Sequence, residues 1–268
     1  MDTQRNHSQP NLAEFLPDSP EFRYSVVVPV FNEAKVIRDF CCRAKADLPP
    51  GYEMLICYDF DADSTLPALD TLRPEDKPVN LRLIRNDLGR GVRYAIEAGM
   101  NAAKSPTVLV TMADLSDDWS RVDEMIGLIE SGADVVSASR YMKDGKQIGG
   151  PLLKRILSQT AGFTLYWFAG VPTHDPTNSF KAYSGSFLNK TPIESTAGFS
   201  LGLELTVKAH FFGGTVREIP TVWNDRPAGE SRFQIFAWLP HYLRWYMWAI
   251  ARRFQLLTKL RLQPRSTS

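Results

Sequence analysis

Two runs of strand-forming residues each end in a knot of carboxylates. VLVTMADLSDD carries Val108–Thr111 into Asp114, Asp117 and Asp118, and EMLICYDFDAD runs into Asp59, Asp61 and Asp63. Such carboxylates accept hydrogen bonds from ribose hydroxyls and ring N–H groups, and they bind hard cations through oxygen. Met112 interrupts the first group, and a thioether is a poor ligand for a hard cation. A structural role competes with the chemical one. Aspartate commonly closes turns and caps helices, which suits Asp61 and Asp63 ahead of Ser64, and Asp117 and Asp118 ahead of WSRVDEMIGLIE.

The elements that must position these acids alternate. YSVVVPV from Tyr24 precedes NEAKVIRDFCCRA, with Asn32 as a cap; EMLICY precedes a helix from about Ser64; LRLI precedes GVRYAIEAGMNAA; TVLVT precedes VDEMIGLIE; DVVSA precedes a long apolar stretch from Leu152. This order predicts an α/β fold, Rossmann-like, with a mostly parallel sheet and helices on both faces. Ligands of such sheets gather beyond the carboxyl ends of the strands. The residues there are Pro29, Phe31, Asn32 and Glu33, then Asp59 to Asp63, Asn86 to Gly91, Asp114 to Asp118 and Arg140. The turn PVFNEA lacks GxGxxG, the later GRG lacks its final glycine, and no GxxxxGK precedes Ser or Thr. What remains is a fold that holds a nucleotide through side chains and a metal.

Composition narrows the partners. The 268 residues are 44% hydrophobic and 23% charged, enough for a sizeable core, and 31 Lys and Arg against 30 Asp and Glu leave no bulk field for nucleic acid. Cys41, Cys42 and Cys57 have neither zinc nor disulfide spacing, which suits a reducing cytosol. Residues 1–22 read as a disordered or loosely attached tail, 23–232 as the main domain, and 233–268 as an aromatic amphipathic helix with a tail. In that last segment Pro240, His241 and Arg244 interrupt any membrane span, while Trp, Tyr, Arg252 and Arg253 suit a headgroup layer. Packing on the domain's own core explains the same pattern.

From SVVVPVFNEA through YDFDADST, NDLGRGVRYAIEAGMNAA, MADLSDD, SRY, KRILS, DPTNSFKAY and GFSLGLEL to EIPTVWNDRPAGESRF, the chain resembles family 2 glycosyltransferases of GT-A fold, in particular the dolichyl-phosphate mannosyltransferase-like group that glycosylates polyprenyl phosphates. The resemblance implies that Pro29, Phe31 and Glu33 frame the donor nucleotide and that Asp59 or Asp61 reads its base or ribose. It places Asp114 on Mg²⁺ or Mn²⁺, with Met112 where the family carries the first acid of Asp-x-Asp. It places Arg226 on the donor diphosphate, with Arg232 beside it. Arg140, Lys154 or Arg155, and Ser158 would bind the acceptor phosphate, and AGFTLYWFAGV would line a groove for its lipid.

The expected reaction is inverting transfer of a hexose from a GDP- or UDP-sugar to a polyprenyl phosphate, with Asp114 and Arg226 cancelling charge on the departing diphosphate. The alternatives are a family 2 enzyme acting on a saccharide or small-molecule hydroxyl, for which Asp175 or Glu204 would be the base, and a non-catalytic nucleotide-sugar binding protein. The expected setting is cytoplasmic and peripheral, on the cytoplasmic face of a membrane.

Overall fold

A computed structural model describes residues 21–225 and 235–262. Strands β1 (Tyr24–Pro29), β2 (Tyr52–Tyr58), β3 (Leu81–Arg85), β4 (Thr107–Val110) and β5 (Val135–Ser139) alternate with helices α1 (Ile37–Asp47), α2 (Thr65–Asp70), α3 (Val92–Ala102) and α4 (Val122–Glu130). β6 (Lys146–Ile148) and α5 (Leu152–Thr164) follow, and α5 runs into a π turn at Leu165–Ala169. The chain continues through β7 (Lys181–Ser184), α6 (Gly185–Lys190), α7 (Ser200–Phe211), β8 (Val216–Pro220), β9 (Val222–Asn224) and α8 (Ile235–Leu262).

The seven-stranded sheet has the order β3-β2-β1-β4-β7-β5-β8. The central strands β1, β2, β4 and β5 are near-continuous buried runs because both faces are covered. Val26 and Val28 pack with Ile37 and Phe40 of α1 on one side, whereas Val27 packs with Ile96 and Met100 of α3 on the other. The mostly parallel sheet anticipated from the alternation is present. β7 departs from it, running antiparallel between β4 and β5. Neither β7 nor β8 belongs to the strand–helix alternation, and the short β6–β9 ribbon stands apart from the main sheet.

Asn32 does not cap α1, which begins at Ile37 after Val36. Its backbone lies in the left-handed region at φ 56, its N–H donates to Asp63, and its side-chain oxygen accepts from Ser64. Asp63 also accepts from Thr65, so this acid ties the loop after β2 to the loop after β1. The turn reading therefore describes Asp63.

α8 packs against α7 through Trp245, which is 2% exposed and donates from Nε1 to Ser195 Oγ at 2.8 Å. Lys208 Nζ of α7 lies 4.8 Å over the same ring. The segment read as interfacial thus buries one face in the core. Leu243, Met247 and Phe254, at helical spacing, remain exposed on it.

α5 meets the segment after the π turn at Gly162, where a Cβ would stand 1.9 Å from the His174 carbonyl oxygen. Gly162→Ala is therefore expected to cost about 1–3 kcal/mol of stability by overpacking. Urea unfolding of the variant measures this, and an unchanged midpoint would refute the close approach.

Candidate functional site

The carboxyl ends of β4 and β5 open into a cleft of about 340 Å³, with Met112, Asp114, Asp117 and Arg140 at its polar end. The acid loop gets its shape from a backbone that turns back on itself. Leu115 adopts φ 61, an unusual conformation for a bulky residue. Arg43 of α1 holds the turn, its guanidinium donating to the carbonyls of Leu115 at 3.0 Å and Asp117 at 2.9 Å while lying 4.6 Å over the Trp119 ring. Trp119 Nε1 donates in turn to Thr111 Oγ1.

Asp117 is not the helix cap that its spacing suggests. It is 4% exposed, and its Oδ2 accepts from Thr111 Oγ1 and from the Met112 N–H. Burial pushes its carboxyl up to about 7, with the nearby Asp114 charge adding to the effect. Asp118 Oδ1 accepts from Ser120 N in a short turn ahead of α4 and does not cap that helix, whose N-cap position is Arg121. Met112 sits where its backbone N–H anchors Asp117.

A divalent cation is testable against these donors. Among the described residues no group of three or more His, Cys, Asp or Glu is arranged to hold a metal. Asp114 and Asp117 nevertheless line one cleft, and Asp114 Oδ1 is oriented by Ser116 N and Oγ. Mg²⁺ often takes one or two protein carboxylates and completes its shell with substrate phosphates and water. The donor set fits a cation held in that way and does not fit a protein-only cage.

At the carboxyl ends of β1 and β2, Phe31, 46% exposed, meets Phe60 edge to face at 5.5 Å beyond Pro29, the last residue of β1. Glu33 N donates to Thr65 Oγ1. Asp59 accepts from Asn86 Nδ2 and from Gly91 N, which fixes the loop containing GRG. Asp61 lies on the surface in an ion pair with Arg85. Arg226 and Arg232 lie outside the described residues.

Across the cleft Arg140 is 7% exposed and forks onto Asp175, Nε to Oδ2 at 2.7 Å and Nη2 to Oδ1 at 2.9 Å, while its N–H donates to Oδ2. Burial works against the guanidinium, but the Asp175 carboxylate more than offsets it, and Arg140 stays cationic. Lys154 and Ser158 line the cleft four residues apart on α5, as their spacing requires, whereas Arg155 is exposed outside it. Tyr141 OH bonds Ser158 and joins α5 to the loop after β5.

Both candidate bases are committed elsewhere. Asp175 is fully buried under Arg140 and also accepts from Thr177. Glu204, likewise buried, takes the N–H groups of Glu194 and Ser195 and the Lys208 ammonium, and it does not line the cleft. His174 pairs with Glu218 of β8 and stacks on Tyr166 at 4.0 Å, an arrangement that ties the π turn to the sheet.

Away from its polar end the cleft has apolar walls. Leu157 and Ala161 of α5 face Leu239, Tyr242, Leu243 and Tyr246 of α8, and Tyr246 OH bonds Thr164 Oγ1 across it at 3.0 Å. The stretch AGFTLYWFAGV lines the groove only through Ala161 and Thr164, while Phe163, Trp167 and Phe168 point outward and are more than half exposed. The sequence reading missed the contribution of α8 to the wall. The signal was its aromatic face, which that reading assigned to a membrane or the core. Arg43 was missed because nothing local marks it.

Residues 25–195 match the family model described as Glycosyl transferase family 2. A dolichol-phosphate mannosyltransferase of Pyrococcus furiosus is 26% identical over 238 residues, covering 84% of this chain and 64% of that protein, so this chain spans less than two thirds of that relative. A polyprenol monophosphomannose synthase of Mycolicibacterium smegmatis is 27% identical over 217 residues, covering 80% and 82%. Among solved structures, glucosyl-3-phosphoglycerate synthase from Mycobacterium tuberculosis, in complex with Mn²⁺, UDP and glucosyl-3-phosphoglycerate, superposes with a TM-score of 0.62 at 16% identity, covering 94% of this chain and 86% of that one.

Arg43→Met removes two hydrogen bonds to carbonyls and the contact with Trp119, so a stability loss of about 1–3 kcal/mol is expected. Relaxing Leu115 also displaces both acids. Calorimetric titration with a nucleoside diphosphate and Mn²⁺ is expected to show at least fivefold weaker binding. Asp47→Asn, which removes only the outer partner of Arg43, leaves that affinity unchanged.

Proposed function

The chain belongs to glycosyl transferase family 2 and is a glycosyltransferase of GT-A fold, and from that premise we propose that it moves a hexose from a nucleotide sugar to a polyprenyl phosphate with inversion. The observation that carries the choice of acceptor is the cleft. An apolar channel between α5 and α8 ends on Arg140, Lys154 and Ser158, which suits an amphiphile with an anionic head. The names of the Pyrococcus and Mycolicibacterium relatives support the same class.

The commitment of Asp175 and Glu204, the two candidate bases, to other partners favours this acceptor over a hydroxyl. A phosphate monoester is already anionic near neutral pH and attacks the anomeric carbon without losing a proton to the enzyme, so the commitment of Asp175 and Glu204 to other partners costs nothing. Lys154, Ser158 and the Arg140 edge would align its oxygens, and attack from the face opposite the diphosphate inverts the sugar. Arg226 would answer the charge growing on the leaving diphosphate, and Asp114 would contribute through the cation it holds. Mg²⁺ or Mn²⁺, when bound, would supply Lewis-acid stabilisation there, held by Asp114 and the donor's own phosphates.

We place the enzyme peripherally on a membrane. Among the described residues no helix is long and apolar enough to cross one. Leu152, Ile156, Phe163 and Trp167 instead form an exposed stripe along α5 and the π turn, with Arg155 beside it. A basic–aromatic face of this kind suits anionic headgroups.

Transfer assays with labelled GDP- and UDP-hexoses test the reading, using polyprenyl phosphate or free saccharides as acceptors with Mg²⁺ or Mn²⁺. Product is expected from the lipid phosphate alone, and Asp114→Ala should lower the rate at least 100-fold. Turnover on saccharides would transfer the proposal to the hydroxyl class. Turnover only after Met112→Asp would identify the native chain as a nucleotide-sugar binder. Trp167→Ser combined with Phe168→Ser is expected to reduce sedimentation with anionic vesicles by at least fivefold.

A further inference from the structure

Lys181 is a charged side chain for which the reaction outlined above has no use. It opens β7 and pairs in register with Val110 of β4 and Ser137 of β5, so it sits between the two strands whose ends carry the acid loop and Arg140. It is 0% exposed. Its ammonium donates to the carbonyls of Pro176, at 3.2 Å, and of Asn178. Two acceptors for three protons is incomplete compensation for removing an ammonium from water, and a buried charge held this way is weak evidence for a purely stabilising role.

The segment it holds is the turn Asp175–Ser179. Asp175 clamps Arg140, and Thr177, Asn178 and Ser179 line the cleft. Ser137 Oγ donates to the Asp175 carbonyl at 2.9 Å, and Asn178 Nδ2 donates to the Ala138 carbonyl at 2.8 Å. These two bonds join the turn to β5 alone. Lys181 ties it to β7, the antiparallel strand inserted between the acid loop and Arg140, and is the charged member of that set.

Resting on the lipid-phosphate reading, we propose that Lys181 is a positioning residue: its ammonium sets the Asp175–Ser179 turn so that Arg140, Asn178 and Ser179 meet the acceptor head. It touches neither substrate. The charged groups acting on it are Asp175 and Arg140, and the strand neighbours Val110 and Ser137 do not titrate in the relevant range. Burial pushes the ammonium down to about 7, Asp175 pulls it up, and Arg140 pushes it further down.

The test compares Lys181→Met and Lys181→Arg with the native enzyme. For the Met variant the expected result is a KM for polyprenyl phosphate raised at least tenfold, with nucleoside-diphosphate affinity, measured by calorimetry, within twofold of native. Lys181→Arg, which keeps a cation, should recover most of that loss. It should also shift the alkaline limb of kcat/KM for the lipid phosphate upward, because a guanidinium does not deprotonate in this range. Equal losses in donor affinity and acceptor KM, or unchanged kinetics in the Met variant, would overturn the proposal. If the Met variant fails to fold, the Arg variant decides by its pH profile: an unmoved alkaline limb rejects the role. A native enzyme inactive on every polyprenyl phosphate removes the underlying reading, whereas an active native enzyme with an indifferent Met variant removes only this proposal.

Discussion

Arg140 and Asp175 are both almost completely withdrawn from water, and their two-pronged contact is the constraint around which the carboxyl edge of the sheet is organised. A guanidinium this deep is tolerable only with a carboxylate held in its plane. Holding that carboxylate requires the turn after Thr173 to be pinned from below, and this is why Ser137, Asn178 and Lys181 direct their polar atoms into the same few residues. The pair settles which charges remain for chemistry. Asp175 is consumed in keeping Arg140 in place, and Arg140 keeps one edge toward the cleft.

The helices divide their faces between two jobs. α5 turns Leu157, Ala161 and Thr164 inward to the cleft and Leu152, Ile156 and Phe163 outward to solvent. α8 does the same with Tyr242 and Tyr246 against Leu243 and Met247, and Leu243 both touches the cleft and stays half exposed. The inner faces therefore continue into the outer ones. An apolar chain lying between the helices would pass from the cleft toward the exposed surface beside the Tyr246–Thr164 hydrogen bond, as the proposed lipid acceptor requires.

Much of this was legible in the sequence, and the illegible parts share a cause. Four of the five strands read from apolar runs are buried on both faces, so local composition marks them, and β3 is legible as LRLI although it stays partly exposed. β7 escaped because KAYS has no apolar run and its place between β4 and β5 is a matter of long-range pairing. Asn32 and Asp117 show the same limit within the site. Each was assigned a local capping role from the residues that follow it, yet Asn32 bonds Ser64, and Asp117 folds back onto Thr111 and Met112 in a loop shaped by Arg43 from far earlier in the chain. Propensity reports what a residue does for its neighbours in sequence, whereas sites are assembled by neighbours in space.

Met112 shows how that assembly changes the meaning of a motif. Read along the chain, it is an acid lost from Asp-x-Asp. In the folded protein its backbone N–H is one of two donors that keep Asp117 beside Asp114, so the cleft retains two carboxylates despite the substitution. They are not equivalent. Asp117 is buried and raised toward neutrality by burial and by Asp114, whereas Asp114 is oriented by Ser116. A second full negative charge at the Met112 position would add repulsion to a loop that already crowds two acids. An uncharged residue there lowers that electrostatic cost, and under the proposed reaction more of the leaving diphosphate's charge would fall to arginine.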